Sequence, residues 1–116
     1  MMQDTMTTFQ TLFEAFSTGN VDKILSLYTN KSVIVNANNT YRGLEEIKTY
    51  FEFTMGQMSQ EGLAFQPGIT KFEGNVAYST WSADTPDKNH LEACETYYIQ
   101  DSKILAHTIA LVVQAQ

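Results

Sequence analysis

The sequence predicts an α+β fold in which three helices in the N-terminal half close a cone-shaped, curved, antiparallel or mixed β-sheet. Three observations carry this expectation. Apolar residues recur every three or four positions as far as Met58; after Gly62 the period falls to two; and a short β-branched run, Ser32 to Asn36, interrupts the helices early. At 116 residues the chain is long enough for one core and too short for a second, so residues 1–116 read as a single domain.

The first helix is expected from Asp4 to Thr18, with Met6, Phe9, Leu12 or Phe13, and Phe16 on one face, Asp4 or Thr5 as cap and Gly19 as stop. Asn20 caps a second helix, Val21 to Tyr28, whose inner stripe is Ile24, Leu25 and Tyr28. Thr29-Asn30-Lys31 reads as a turn, Ser32 to Asn36 as a strand, "ANN" as a turn and Thr40 to Arg42 as a short returning segment. The third helix, Leu44 to Met58, places Glu45 and Glu46 in its first turn, where the helix dipole favours negative charge.

The strand half begins with Leu63 to Phe72, where Pro67-Gly68 in mid-run predicts a bulge, a bend or an edge position. Glu73-Gly74-Asn75 turns the chain into Val76 to Asp84. A loop, "TPDKNH", leads to Leu91 to Gln100 and Lys103 to Val113, a hairpin around Asp101-Ser102. A curved sheet closed by helices has an open mouth, which suits a small molecule.

Composition narrows the function classes. Thirteen acidic and seven scattered basic residues give a net charge of −6, which argues against nucleic acid as a partner. One cysteine and two histidines offer no clustered metal-ligand spacing, so neither metal nor cofactor is expected. The longest apolar run, near "ILAHTIALVV", is broken by His107 and Thr108, and no leader pattern is visible, so the expectation is a soluble, cytoplasmic protein with no membrane association.

The stretch "GNVDKILSLYTNKSVIVNANNTYRGLEEIKTYF", Gly19 to Phe51, resembles the SnoaL-like polyketide cyclases and ketosteroid isomerases of the nuclear transport factor 2-like superfamily. Gly19, Asn20, Asp22, Tyr28, Gly43, Ile47, Tyr50 and Phe51 stand at the positions of that pattern, and "VAYSTW" and "ETYYIQDSKILAHTIALV" fit its last three strands. The resemblance implies the cystatin-like α+β roll, and a fold of this kind hosts both enzymes and non-enzymatic modules. Asn36 stands where the isomerases carry an Asp general base, and an amide cannot serve as one. Leu12, with Phe13 beside it, stands where they carry a Tyr donor. Glu95 lies nearest their protonated Asp. Steroid-isomerase chemistry is therefore not expected.

What remains is a candidate site. By family analogy Glu95, Tyr97 and His107 line the interior, with Glu95 and His107 as a catalytic acid/base pair. The opposing reading has Glu95 bonded to a Tyr or Trp in a satisfied core. Register decides: a loop centred on Asp101 sets Glu95 opposite His107, whereas a two-residue turn at Asp101-Ser102 sends them to different faces. Tyr28, Asn36, Phe51, Met55, Trp81 and Tyr97 are the candidate ligand-binding residues, with Tyr50 and Phe65 in the same lining. Each has a plainer role open to it: core filling for the aromatics, or ending the strand for Asn36. Arg42 is expected to pair with Glu45 or Glu46, and Cys94 to be inert. The expected partners are a small, largely apolar ligand and a second copy of the chain, joined through the outer sheet face that carries Tyr78 and Tyr98. Acid/base chemistry of isomerase or cyclase type, or a non-catalytic carrier or dimerisation role, are the two functions this site admits.

Overall fold

A computed structural model describes residues 2–115. The elements run α1 (Met2–Ser17), α2 (Val21–Leu25), β1 (Tyr28–Val35), β2 (Thr40–Arg42), α3 (Gly43–Met58), β3 (Ala64–Glu73), β4 (Val76–Asp84), β5 (Asn89–Gln100) and β6 (Lys103–Ala115). One six-stranded sheet has the order β2-β1-β6-β5-β4-β3. The β1–β6 pair is parallel and all the others are antiparallel, so the sheet is mixed, and the helices cover one face.

The core fills the space between that face and the helices. Leu12, Ala15, Ile24, Leu27, Tyr28, Ile34, Ile47, Phe51, Ala77, Tyr97, Ile99 and Ile104 form one buried cluster. On α1 the buried stripe is Thr5, Thr8, Leu12 and Ala15, rotated from the expected face, so that Met6 and Phe13 are exposed and Phe9 and Phe16 pack at its flank. The two expected caps of α1 are used differently. Asp4 accepts from the backbone N–H of Ser102 at 2.9 Å and from its hydroxyl, which holds the Asp4 carboxyl below its ordinary pKa, while the Thr5 hydroxyl donates to the Gly74 carbonyl at 2.7 Å. Each ties the first turn of α1 to a β-turn. Asn20 does cap α2, accepting from the Lys23 N–H at 3.0 Å.

Tyr28 does not belong to α2. The helix ends at Leu25, and Tyr28 opens β1 opposite Ile104, because the Leu27 carbonyl accepts from the Ile104 N–H at 2.7 Å and commits the chain to the sheet. The expected turn at Thr29-Asn30-Lys31 is instead an irregularity inside β1, where the pairing with β6 shifts register between Tyr28 and Val33. Ser32 anchors it, accepting from the Thr29 N–H at 2.8 Å and donating to the Ile104 carbonyl at 2.6 Å. Side-chain and cross-strand hydrogen bonds here override a helical period that the sequence carries for one turn too many.

The bulge expected at Pro67-Gly68 is present, on an edge strand: β3 shifts register against β4 between Pro67 and Thr70. The Ile69 N–H donates to the Thr80 hydroxyl at 2.8 Å. Gly68 is pressed so close to β4 that a side-chain carbon there would overlap the Thr80 hydroxyl and lie 2.8 Å from its carbonyl oxygen. Gly68→Ala is expected to lower stability by about 1–3 kcal/mol through overpacking, read as a lower urea midpoint with an unchanged slope.

Candidate functional site

The site is built on the register of the last hairpin. Asp101 and Ser102 both have positive φ, 52° and 61°, which makes the tight two-residue turn that matches strand twist. That turn pairs Gln100 with Lys103 and Ile99 with Ile104. The pairing then slips: Tyr98 faces Ala106 and Tyr97 faces His107, leaving Leu105 as an extra residue in β6. The bulge restores the parity that the turn alone would destroy. Ile104 and His107 both point into the core, and Leu105 does not continue the His107 face as simple alternation requires.

Glu95 and His107 therefore meet. His107 Nε2 lies 2.6 Å from Glu95 Oε1. The same oxygen accepts from the Tyr97 hydroxyl at 2.9 Å, and Oε2 accepts from Trp81 Nε1 at 2.6 Å. The His107 ring stacks on Tyr97 with centroids 4.1 Å apart, and its Nδ1 is 3.0 Å from the Tyr28 hydroxyl. Trp81 comes from β4, Glu95 and Tyr97 from β5, His107 from β6 and Tyr28 from β1, so one network crosses four strands. The His107 side chain is 2% exposed and that of Glu95 is 15% exposed.

Several forces set the protonation states. Burial pushes the Glu95 carboxyl up, but the hydrogen bond and attraction of His107, then the bonds from Trp81 and Tyr97, together hold it below its ordinary value. Burial and the adjacent Glu95 charge raise Tyr28 and Tyr97 well above the usual phenol range, so both keep their protons. Because an ionised carboxylate only accepts, Nε2 of His107 carries hydrogen. Nδ1 accepts the Tyr28 proton when the ring is neutral and donates to the same oxygen when it is a cation. Either state of His107 is fully bonded.

The other expected residues fall around this centre. Phe51 is buried, packing on Tyr28 and Tyr50 with centroids 5.6 and 5.1 Å apart. Phe65 lies against Trp81 at 5.6 Å and is 40% exposed. Met55 lines a groove of about 740 Å³ between the C-terminal ends of α1 and α3, together with Phe13, Phe16, Met58 and Phe65. Asn36 stands outside the network. Its Oδ1 accepts the N–H groups of Asn38 and Asn39 at 2.9 and 2.8 Å, so that oxygen builds the β1–β2 turn. Arg42 is held through its backbone, its N–H donating to Glu46 Oε1 at 2.8 Å. The groove escapes sequence reasoning because Phe13 competes with Leu12 for one helical stripe, and only the tertiary packing decides which is left outside.

The outer sheet face has a second depression, about 580 Å³, that includes Thr80, Ser82, His90, Glu92 and Cys94. His90 Nδ1 is 2.8 Å from Asp84 and Nε2 is 3.2 Å from Glu92, and these two hydrogen bonds raise its pKa. Among the described residues no group of three or more His, Cys, Asp or Glu side chains is placed to hold a metal ion, and no helix is long and apolar enough to cross a membrane.

The profile of the SnoaL-like domain family matches residues 9–107. The chain belongs to that family. Solved structures agree on the fold. A nuclear transport factor 2-like protein of unknown function from Mesorhizobium loti aligns with a TM-score of 0.80 at 17% identity, over 96% of this chain and 93% of that one. An LEH-like epoxide hydrolase from M. tuberculosis gives 0.72 at 12% identity, over 96% and 84%. A de novo designed protein with a curved β-sheet gives 0.78 at 10% identity, over 95% and 86%. No curated protein sequence matches. At these identities the structural likeness shows the fold alone, and its span from a hydrolase to a designed protein means that function has to be argued from this SnoaL-like domain's own residues.

Removing the Glu95 charge tests the network. Glu95→Ala leaves three donors facing a gap and is expected to lower stability by about 3–5 kcal/mol, with Glu95→Gln losing about 1–3 kcal/mol. Since the folded-state pKa lies below the unfolded one, the ionised Glu95 stabilises the fold above the ordinary glutamate range, and this contribution is lost as pH falls from that range through the depressed folded-state value. Chemical denaturation between pH 7 and pH 3 is expected to show a shallower acid loss for Glu95→Gln than for the parent chain.

Proposed function

We propose that this SnoaL-like domain is a binding protein that takes a small, largely apolar molecule in the mouth groove between the C-terminal ends of α1 and α3, with the Glu95–His107 pair as a fixed structural element behind Trp81. The observation that carries the reading is that Glu95 already accepts from Trp81, Tyr97 and His107, while a separate groove between α1 and α3 exposes apolar side chains. Three of the carboxylate's roughly four lone-pair sites are already taken, and its depressed pKa makes it a weak base. Phe65 links the two regions, since it lines the groove and lies against Trp81, whose indole N–H holds the carboxylate. A groove of this size suits a ligand of one to three rings.

A second reading is favoured by the 2.6 Å contact and the remaining 15% exposure of Glu95. Here a ligand displaces the Trp81 indole, frees Oε2 and draws a proton through Glu95 and His107, which is isomerase- or cyclase-type acid/base chemistry. The two readings separate in one experiment. In a thermal-shift screen of neutral polycyclic and terpene-like compounds, the binding reading expects stabilisation that is lost in Phe65→Ala and retained in Glu95→Gln. Turnover of a bound compound that disappears in both Glu95→Gln and His107→Phe replaces it by the catalytic one. No stabilisation by any compound defeats both.

A second copy of the chain is also part of the proposal. Val76, Tyr78 and Tyr98 on the outer sheet face are 39%, 38% and 42% exposed, and Val112, opposite Glu92 towards the other end of the same face, is 57% exposed. Face-to-face packing buries them, and a cytoplasmic location fits the charge of the remaining surface. Sedimentation at micromolar concentration is expected to give a dimer, and the double variant Tyr78→Asp, Tyr98→Asp a folded monomer.

A further inference from the structure

We propose that the mouth groove selects a hydrophobic organic cation, an apolar skeleton carrying a protonated amine; this rests on the binding reading above and specifies its ligand. The lining combines Phe13, Phe16, Met55, Met58 and Phe65 with a single ionisable side chain, Glu52, and contains no Lys, Arg or His. Among the described residues the ion pairs are those of His90 and His107, so Glu52 has no salt-bridge partner. The chain as a whole carries −6.

The backbone adds to this field. α1 and α3 are each 16 residues long, and both end at the groove: Phe16, Ser17 and Thr18 come from one terminus, Met55, Gly56, Met58 and Ser59 from the other. A helix C-terminus carries roughly half a negative charge, ordinarily complemented by Lys or Arg in the last turn. Neither helix has a basic residue there. Two helix C-termini and one carboxylate thus border the groove, whose side chains carry no positive charge; the positive end of α2, which begins at Val21 in the same wall, belongs to a helix of only five residues and is capped by the Asn20 carboxamide.

An anion entering this hollow meets repulsion from all three sources, and a neutral guest gains nothing from them. A cation gains from each, and also from aromatic faces: Phe13 is 48% and Phe65 40% exposed, available to a cation lying over the ring. The apolar walls bind the skeleton, and the field chooses the charge.

The test uses one skeleton with three head groups. Naphthylmethylamine, naphthylmethanol and naphthoate, and the corresponding adamantyl series, are titrated into the full chain at pH 7 by calorimetry in low and high salt. The amine is expected to bind at least tenfold more tightly than the alcohol, with the carboxylate weakest and the amine's advantage shrinking as salt rises. Glu52→Gln, an exposed helical position, is expected to reduce the amine's advantage about threefold and leave the alcohol unchanged. Equal binding of amine and alcohol, or tighter binding of the carboxylate, overturns the cation inference and leaves the apolar binding site standing. If no member of either series binds, the groove is not a ligand site and both readings fall.

Discussion

One buried carboxylate organises this molecule. Glu95 sits where β4, β5 and β6 run side by side, and charge in such a place is tolerated only when it is paired and hydrogen-bonded. Its donors come from β4, from its own strand β5 and from β6, and through His107 the network reaches Tyr28 on β1. Each donor fixes a large ring in one orientation. Tyr97 and His107 stack because both must reach the same oxygen, and Phe9 meets Tyr97 edge-on at 5.4 Å, which brings α1 onto the sheet at that point. The helices pack against a surface whose shape the carboxylate has already set.

That arrangement depends on a single inserted residue. A regular ladder from the Asp101-Ser102 turn would place His107 on the face away from Glu95, leaving a buried acid with fewer donors and a histidine in solvent. Leu105 shifts the outer half of β6 by one position relative to β5 and brings the two together. The turn in turn is held by α1, through Asp4 and Ser102. Local backbone geometry, a tertiary tether and a buried charge thus support one another, as a sequence that folds to one structure requires.

The periodic features were legible in the sequence and the non-periodic ones were not. β4 occupies Val76 to Asp84 as alternation predicts, and the Pro67-Gly68 irregularity lies where a residue without an N–H and one without a side chain demand it. The Leu105 bulge leaves no such mark, since neither glycine nor proline is needed to form it, and so the meeting of Glu95 and His107 depended on a register that only the strand pairing reveals. The end of α2 is hidden for a similar reason: Tyr28 continues a helical stripe, yet its backbone is claimed by β6, 76 residues later in the chain at Ile104. The resemblance makes Asn36 a candidate ligand contact, whereas its carboxamide oxygen is used by its own turn.

The parallel pairing of β1 with β6 has a consequence for how the chain is assembled. β1 lies between β2, three residues long, and the last strand to be made. Until β6 arrives, β1 and β2 form only a marginal two-stranded ribbon, separate from the β3–β5 strands on which α1 packs, and a contact between residues 76 apart in the chain must close before the centre becomes dry. During synthesis the first half therefore emerges before its partner strand, and β6 joins the two parts of the sheet by taking the place between β1 and β5.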